Sequence, residues 1–158
     1  VLDAEETRVL ADIDLPPRPR EAEITSDGKY AYVTSEVGAA VSKVDLRARE
    51  VVKTVRLFDI PDAKPKGVLL GPKEKTLFVS LGKAGVILTM DPKTLKVRKR
   101  IETGGRVWGL GLSHNGKRLF AASAEPATVS VIHTRRLELI RTFNVAPGPW
   151  GVAVEPEK

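Results

Sequence analysis

Short runs of apolar and β-branched residues recur along the chain, separated by polar turns. Three series of such runs occupy residues 30–34, 41–45 and 51–57, then 76–80, 86–91 and 97–102, then 118–122, 129–133 and 138–145. Asp27-Gly28 and Asn115-Gly116 precede two of the series and favour tight hairpins, because glycine adopts positive φ without strain. The middle series has Lys73-Glu74 in that place, so its turn must take another form. No segment shows the 3.6-residue period of an amphipathic helix, and the pattern predicts antiparallel strands throughout.

The whole pattern repeats along the chain. Segments 24–34, 70–80 and 112–122 align at offsets of 46 and 42 residues, and Trp150 begins a partial copy 42 residues after Trp108. A period of roughly 40–45 residues is typical of one four-stranded blade of a β-propeller. The first strand of each unit is rich in glycine, as expected where inner strands approach one another around a propeller axis. We therefore predict an all-β fold, a β-propeller built of four-stranded antiparallel blades.

The repeat phase also predicts how the chain is divided, and that its ring is incomplete. The predicted units are 1–20 as the end of a preceding blade, 21–65, 66–107 and 108–149 as three blades, and 150–158 as the first strand of the next blade. An open array leaves two blade faces bare, and such apolar surfaces normally require a partner. Three explanations are open: the chain is part of a longer propeller, a half-ring that a second copy completes, or a compact four-bladed ring with an incomplete blade.

The repeats closely resemble those of the YVTN subfamily of β-propellers. The second strands carry the resemblance in the segments Tyr32-Val33-Thr34-Ser35, Phe78-Val79-Ser80-Leu81 and Phe120-Ala121-Ala122-Ser123. Residues 129–134 are similar to a later strand of that family, with His133 where Asp is usual, and residues 146–154 resemble its connection to the next blade. The resemblance implies a larger ring and a periplasmic or cell-surface location. It implies little about activity, because propellers host unrelated functions.

Composition narrows the chemistry. The 158 residues include no cysteine, which excludes a disulfide scaffold, a thiol nucleophile and a Cys-ligated metal site. They include only two histidines, His114 and His133. No apolar run approaches the roughly 20 residues that cross a bilayer. Asp45 and Asp91 recur at one repeat phase, where we expect them to accept backbone N–H groups in turns. Nothing in the spacing of Ser, His and acidic residues suggests catalysis, and we expect no resident cofactor or metal.

The loops that lead into the innermost strands of a propeller gather at one mouth of its channel. The repeat phase places one circle there of Arg18, Lys64, Arg106 and Gly148, and a second circle of Arg20, Lys66, Trp108 and Trp150. The formal net charge is +6, and both tryptophans of the chain fall in the second circle. We predict a positive, tryptophan-walled mouth that attracts carboxylates, phosphates or an acidic protein loop. On the alternative interpretation, the same residues only pack and cap the starts of the strands.

Three functions follow as alternatives. The first is a non-catalytic binding or scaffold propeller whose anionic ligand or protein partner meets the mouth. The second comes from the resemblance: similar propellers carry haem d1 in nitrite reductase and its assembly proteins, or form the large subunit of quinoprotein amine dehydrogenases. A haem with several carboxylates would suit the basic circle, although no histidine is predicted on the inner strands to ligate its iron. The third is nucleic-acid binding, which the modest positive charge permits without requiring it.

Overall fold

Twelve strands in three antiparallel sheets make up the described part of the protein. The structure is a computed structural model that describes residues 1, 5 and 7–155. The first sheet contains β1 (Pro19–Ile24), β2 (Tyr30–Ser35), β3 (Ala40–Asp45) and β4 (Glu50–Arg56). The second contains β5 (Val68–Leu70), β6 (Leu77–Ser80), β7 (Val86–Met90) and β8 (Val97–Glu102). The third contains β9 (Val107–Leu112), β10 (Arg118–Ser123), β11 (Thr128–His133) and β12 (Glu138–Asn144), and the predicted all-β class is confirmed.

Each sheet is a meander in which the strands pair in chain order. The pairing repeats in detail, because the third and fourth strands shift register at equivalent positions: Lys43/Val44, Thr89/Met90 and Val131/Ile132. A bulge of this kind increases the local twist of the strand pair that carries it. The three units are therefore equivalent in backbone detail as well as in sequence.

The apolar core lies in two layers between the sheets. Consecutive residues of a strand point to opposite faces, so the middle sheet packs on both of its neighbours. Val79 joins the cluster that contains Tyr32 of the first sheet, whereas Phe78 and Ile87 join the cluster that contains Leu119 of the third sheet. Strands β6 and β7 are therefore buried along their whole length.

The outer faces of the first and third sheets still carry exposed apolar side chains. On the first sheet, Ile24 is 56% exposed, and Ile13 and Leu15 pack beside it on a small cluster of buried residues. On the third sheet, Phe143 pairs with Val129 across β11 and β12 and is exposed. The middle sheet, by contrast, has both faces covered.

The turn between β5 and β6 differs from its two counterparts. In the equivalent hairpins, Gly28 and Gly116 both have a φ of 68°. In the middle sheet, Lys73 and Glu74 adopt left-handed backbone conformations with φ of 55° and 52°, within a short 3-10 turn at Pro72–Glu74. The prediction that this turn takes another form is confirmed.

The recurring aspartates act as turn acceptors. Asp45 Oδ1 accepts hydrogen bonds from the backbone N–H groups two and three residues later, at 2.9 and 2.8 Å. Asp91 Oδ1 accepts the equivalent pair, both at 2.9 Å. His133 stands at the same repeat phase and accepts its own pair through Nδ1, at 3.2 and 3.3 Å. All three side chains therefore hold the turn that follows the third strand.

Candidate functional site

The loops predicted to form the mouth lie at one end of the three sheets. Antiparallel pairing sets Pro19, at the start of β1, opposite Ser35, at the end of β2. In the third sheet, it sets Val107 opposite Ser123 in the same way. The segments that lead into the first strands therefore lie beside the segments that follow the second strands.

Hydroxyl groups on the second strands attach these loops to the neighbouring sheet. Thr34 Oγ1 donates to the Lys66 carbonyl oxygen, and the equivalent Ser80 Oγ donates to the Trp108 carbonyl oxygen, both at 2.5 Å. Ser80 Oγ also accepts the Gly67 N–H at 2.8 Å. Gly67 allows this close approach, because a Cβ there would lie 2.4 Å from the Trp108 carbonyl oxygen. Each sheet thus positions the backbone that carries the next pocket residue.

A pocket of about 150 Å³ opens at this end, and we refer to it as the mouth pocket. It is lined by Arg20, Glu21, Lys66, Gly67, Trp108, Gly109 and Trp150. These residues come from β1, from the loop that leads into β5, from β9 and from the segment that follows the third sheet. Four of the seven residues that the sequence nominated for ligand binding, Arg20, Lys66, Trp108 and Trp150, are therefore brought together.

The two tryptophans form one aromatic wall. Their ring centroids lie 4.1 Å apart and the ring planes are inclined by 58°. Lys66 Nζ lies 4.6 Å from the centroid of the Trp108 ring, which is a cation–π distance. Within the described part of the chain, the buried Nε1 of Trp108 has no hydrogen-bond partner, and such unpaired donors are rare in folded proteins. Trp150 is 67% exposed and covers Trp108 on the solvent side.

Glu36 is an acidic residue of the mouth that the sequence analysis missed. Its carboxylate lies 3.2 Å from Arg18 Nε, 3.5 Å from Arg20 Nε and 3.4 Å from Lys66 Nζ. Its Oε2 atom is buried between the two arginines yet accepts no well-aligned hydrogen bond from the described residues. The contact is therefore a shared electrostatic one and not a bidentate clamp. One carboxylate against three cations leaves this cluster positive.

Strand pairing was the signal that could have found Glu36. Gly82 and Ala124 stand at its repeat phase in the other two sheets, so no acidic residue recurs there. The Glu36 N–H donates to the Arg18 carbonyl oxygen at 2.9 Å, because the loop after β2 runs beside the loop before β1. Comparing the residues of these two loops would have placed a carboxylate next to the predicted basic residues.

Burial shifts the pKa of two groups in the mouth pocket. It lowers the pKa of Lys66 below its ordinary value, the Glu36 carboxylate opposes that change, and the charge of Arg20 adds to it. Burial raises the pKa of Glu21, against a hydrogen bond from the Val68 backbone that lowers it. As pH rises, Lys66 therefore loses its charge earlier than an exposed lysine would.

The other nominated residues lie outside the mouth pocket. Arg18 reaches the cluster through Glu36. The Lys64 N–H donates to the Leu81 carbonyl oxygen at 3.0 Å, and Arg106 lines a separate depression that also includes Glu125. Gly148 is exposed. The predicted basic circles are therefore not continuous, because Arg18, Arg20 and Lys66 cluster around Glu36 whereas Arg106 lies apart from them.

The arrangement is suited to binding. Guanidinium and ammonium groups offer charge-assisted hydrogen bonds to an anion, and the indole rings offer an apolar surface for a planar group. Within residues 1, 5 and 7–155, no group of three or more His, Asp or Glu side chains is arranged to hold a metal ion. In the same part of the chain, no helix has the length and apolar character needed to span a membrane.

Comparison with known sequences finds distant relatives. No protein-family model matches the chain. The chain is 25% identical over 122 residues to the uncharacterized protein YncE of Escherichia coli O157:H7, and equally to that of Escherichia coli strain K12. The match covers 72% of this chain and 35% of each relative. The chain is thus distantly similar to YncE and corresponds to about a third of its length.

Comparison with solved structures supports the fold. Hydrazine synthase of Kuenenia stuttgartiensis matches 94% of this chain with a TM-score of 0.78 and 23% sequence identity. The match covers 41% of that larger chain. The three sheets are therefore propeller-like blades, as predicted, and they correspond to part of a larger propeller chain.

Proposed function

We propose that this chain is part of a non-catalytic binding propeller whose mouth pocket binds an anionic ligand or an acidic loop of a protein partner. One observation carries the proposal: Arg20 and Lys66 converge with Trp108 and Trp150 on a single pocket. With Arg18, three cations there outnumber the two carboxylates, those of Glu36, which pairs with them, and of Glu21, which lines the pocket. A site with excess positive charge and a low-dielectric aromatic wall attracts anions.

The size of the mouth pocket defines how much of a ligand it holds. Its volume of about 150 Å³ is below the roughly 300–1,000 Å³ of a complete small-molecule site. The pocket therefore encloses one charged group, such as a carboxylate or a phosphate, with an attached planar group against the exposed ring of Trp150. The rest of the ligand contacts other parts of the mouth.

We further propose that the remainder of a longer propeller chain, or a second copy, completes the ring. Both comparisons support this, because the matched regions are 35% and 41% of the larger proteins. The segment at residues 32–35 and the distant similarity to YncE support a propeller of the YVTN type. Haem d1 or quinoprotein chemistry and nucleic-acid binding rest on the resemblance and the net charge alone, and they stay predictions.

Intrinsic tryptophan fluorescence tests the mouth pocket directly, because both tryptophans of the chain line it. The probe is benzene-1,3,5-tricarboxylate, and the uncharged 1,3,5-benzenetrimethanol is its comparator. We expect the tricarboxylate to change the fluorescence in a saturable way and the neutral compound to bind far more weakly. Replacing Arg20 or Lys66 by Ala removes a charge-assisted contact and should weaken binding by about tenfold or more.

The matched controls are Lys64→Ala and Arg106→Ala, which make the same change in charge at basic positions outside the pocket. We expect them to alter the affinity by less than about threefold, through long-range electrostatics alone. The absence of a saturable signal with the tricarboxylate would refute the proposal. An equal loss in all four variants would also refute it, since it would indicate a diffuse positive surface without a defined pocket.

A further inference from the structure

A second basic cavity lies at the opposite end of the blades from the mouth, and we refer to it as the basic cleft. Its volume is about 590 Å³, and it is lined by Pro72, Lys73, Lys75, Thr76, Arg98, Thr134, Arg135 and Leu137. The turn between β5 and β6 forms one wall and the turn between β11 and β12 forms the other. The strand pairing shows at which end of the blades the cleft lies. The last pair before the β11–β12 turn is His133↔Glu138, and the last pair before the β5–β6 turn is Leu70↔Leu77, so both turns lie at the end away from the mouth.

The charge of the basic cleft is only partly neutralised. Among the described residues that line it, four are cations and none is acidic. Within residues 1, 5 and 7–155, Arg98 is ion-paired with Asp91, whereas Lys73, Lys75 and Arg135 have no carboxylate partner. The nearby carboxylate of Glu74 is used elsewhere, since its Oε1 accepts the Ser26 N–H of the first blade at 2.5 Å.

Arg98 is held in place at the base of the cleft. Its Nη1 donates to the Lys75 carbonyl oxygen at 2.8 Å, and its Nη2 pairs with Asp91 Oδ2. Backbone hydrogen bonds, chiefly from Thr94, together with Arg98 hold the pKa of Asp91 at about 2, so the pair is charged at neutral pH. Arg98 therefore links the β5–β6 turn to a fixed charge, whereas Lys73, Lys75 and Arg135 are exposed.

The β5–β6 turn also takes positive φ without a glycine. Gly28 and Gly116 occupy the site of Glu74 in the other two hairpins and both have a φ of 68°, whereas Lys73 and Glu74 carry side chains and still have positive φ. Residues with a side chain rarely adopt that region, and strained backbone concentrates at functional sites. The strained turn holds Lys73 at the rim of the cleft and directs Glu74 away to the first blade.

We propose that the basic cleft is a binding site for a compact polyanion of the phosphate class, of the size of an inorganic triphosphate. Three unpaired cations and Arg98 match several negative charges on one small molecule. The volume is within the range of small-molecule sites. None of the described residues that line the cleft is aromatic, so recognition rests on charge and does not require a nucleobase. This site is separate from the mouth pocket and does not depend on its proposed function.

Isothermal titration calorimetry of the chain with inorganic triphosphate at low ionic strength tests the site. Tryptophan fluorescence is recorded in parallel, because it reports on the mouth pocket and not on the cleft. We expect saturable heat without a fluorescence change, and weaker binding of inorganic phosphate. Lys73→Ala/Arg135→Ala removes two rim cations and should weaken triphosphate binding by about tenfold or more. The variant Lys75→Ala/Arg135→Ala leaves Lys73 with its positive φ unchanged and should weaken triphosphate binding by the same factor.

The matched control is Lys93→Ala/Lys96→Ala, which removes two exposed cations from the same end of the middle blade without touching the cleft. We expect its affinity to stay within about threefold of the unmodified chain. Equal weakening in the cleft and control variants would overturn the proposal. So would the absence of saturable heat, or binding that changes the tryptophan fluorescence and is lost on replacing Arg20 and Lys66.

Discussion

Glu36 weakens the positive field of the mouth, because its carboxylate lies within ion-pair distance of Arg18, Arg20 and Lys66. An incoming anion must compete with it for the same cations. The charge of Glu36 also raises the pKa of Lys66, against the lowering that burial causes. If the mouth binds an anion as proposed, the residue has two separable effects: it reduces anion affinity near neutral pH, and it extends the pH range over which Lys66 stays charged.

Glu36→Gln should separate these effects. We expect the affinity for benzene-1,3,5-tricarboxylate at neutral pH to rise by about fivefold, because a competing charge is removed. Binding should then fall at a lower pH than in the unmodified chain as the solution is made alkaline. The reason is that loss of the carboxylate leaves the lowering of the Lys66 pKa unopposed. Tryptophan fluorescence titrations across the alkaline range measure both.

Asp62→Asn is the control for this change. Asp62 pairs with Lys83 at 3.2 Å, outside the mouth pocket, and its φ of 56° suits Asn as well as Asp. We expect neither the affinity nor its pH dependence to change. If Glu36→Gln leaves both unchanged too, Glu36 does not compete with the ligand.

At the scale of elements, the hydroxyl groups at one repeat phase tie each blade to the next. Thr34 reaches the Lys66 carbonyl and Ser80 reaches the Trp108 carbonyl. Ala122 stands at the third equivalent position and has no hydroxyl. Residues 150–155, predicted as the start of the next blade, belong to no sheet, although Trp150 packs on Trp108. Side-chain hydrogen bonds from the second strand thus link the first blade to the second and the second blade to the third.

Ser80→Ala should destabilise the fold by about 2 kcal/mol. The change leaves the buried Gly67 N–H without its partner and removes the donor to the Trp108 carbonyl oxygen. Urea unfolding monitored by circular dichroism measures the loss. Ser42→Ala is the matched control, because the hydroxyl of Ser42 is hydrogen-bonded to Thr54 within one sheet, where the partly exposed hydroxyl of Thr54 can turn to water. It should cost less than about 1 kcal/mol, and an equal cost in both variants would contradict a role between blades.

The strands were predictable because period, turn dipeptides and burial all point to the same pairing. The second, third and fourth strands of each unit agree with the sequence to within a residue or two. The first strands are less certain from sequence: β1 begins at Pro19 because a register shift between Pro19 and Ala22 lengthens it. In the site, repetition located Arg20 and Lys66. It missed Glu36, because no acidic residue recurs at that repeat phase, although pairing of β1 and β2 within one blade brings Glu36 beside Arg18.

At the scale of the whole molecule, the two outer blade faces set how the chain associates. A groove of about 380 Å³ on the first blade is lined largely by apolar side chains, among them Ile13, Leu15, Ala22 and Ile24. Phe143 is exposed on the far face of the third blade. In the middle blade the equivalent faces are buried against neighbours. The outer faces thus offer apolar surface to the additional blade proposed above, whether from the same protein or from a second copy.

Association of the 158-residue chain in solution tests this directly. We expect its weight-average mass in sedimentation equilibrium to rise above 17.2 kDa with concentration, because contact of apolar outer faces removes them from water. Ile24→Lys places a charge on the groove that must be desolvated on contact, and it should shift the chain toward monomer. Phe58→Lys makes the same chemical change at a residue that is 71% exposed in a loop away from that face, and it should leave association unchanged. A monomer at every concentration, or an equal effect of both variants, would show that the outer face of the first blade does not drive assembly. Either result would contradict completion of the ring by a second copy.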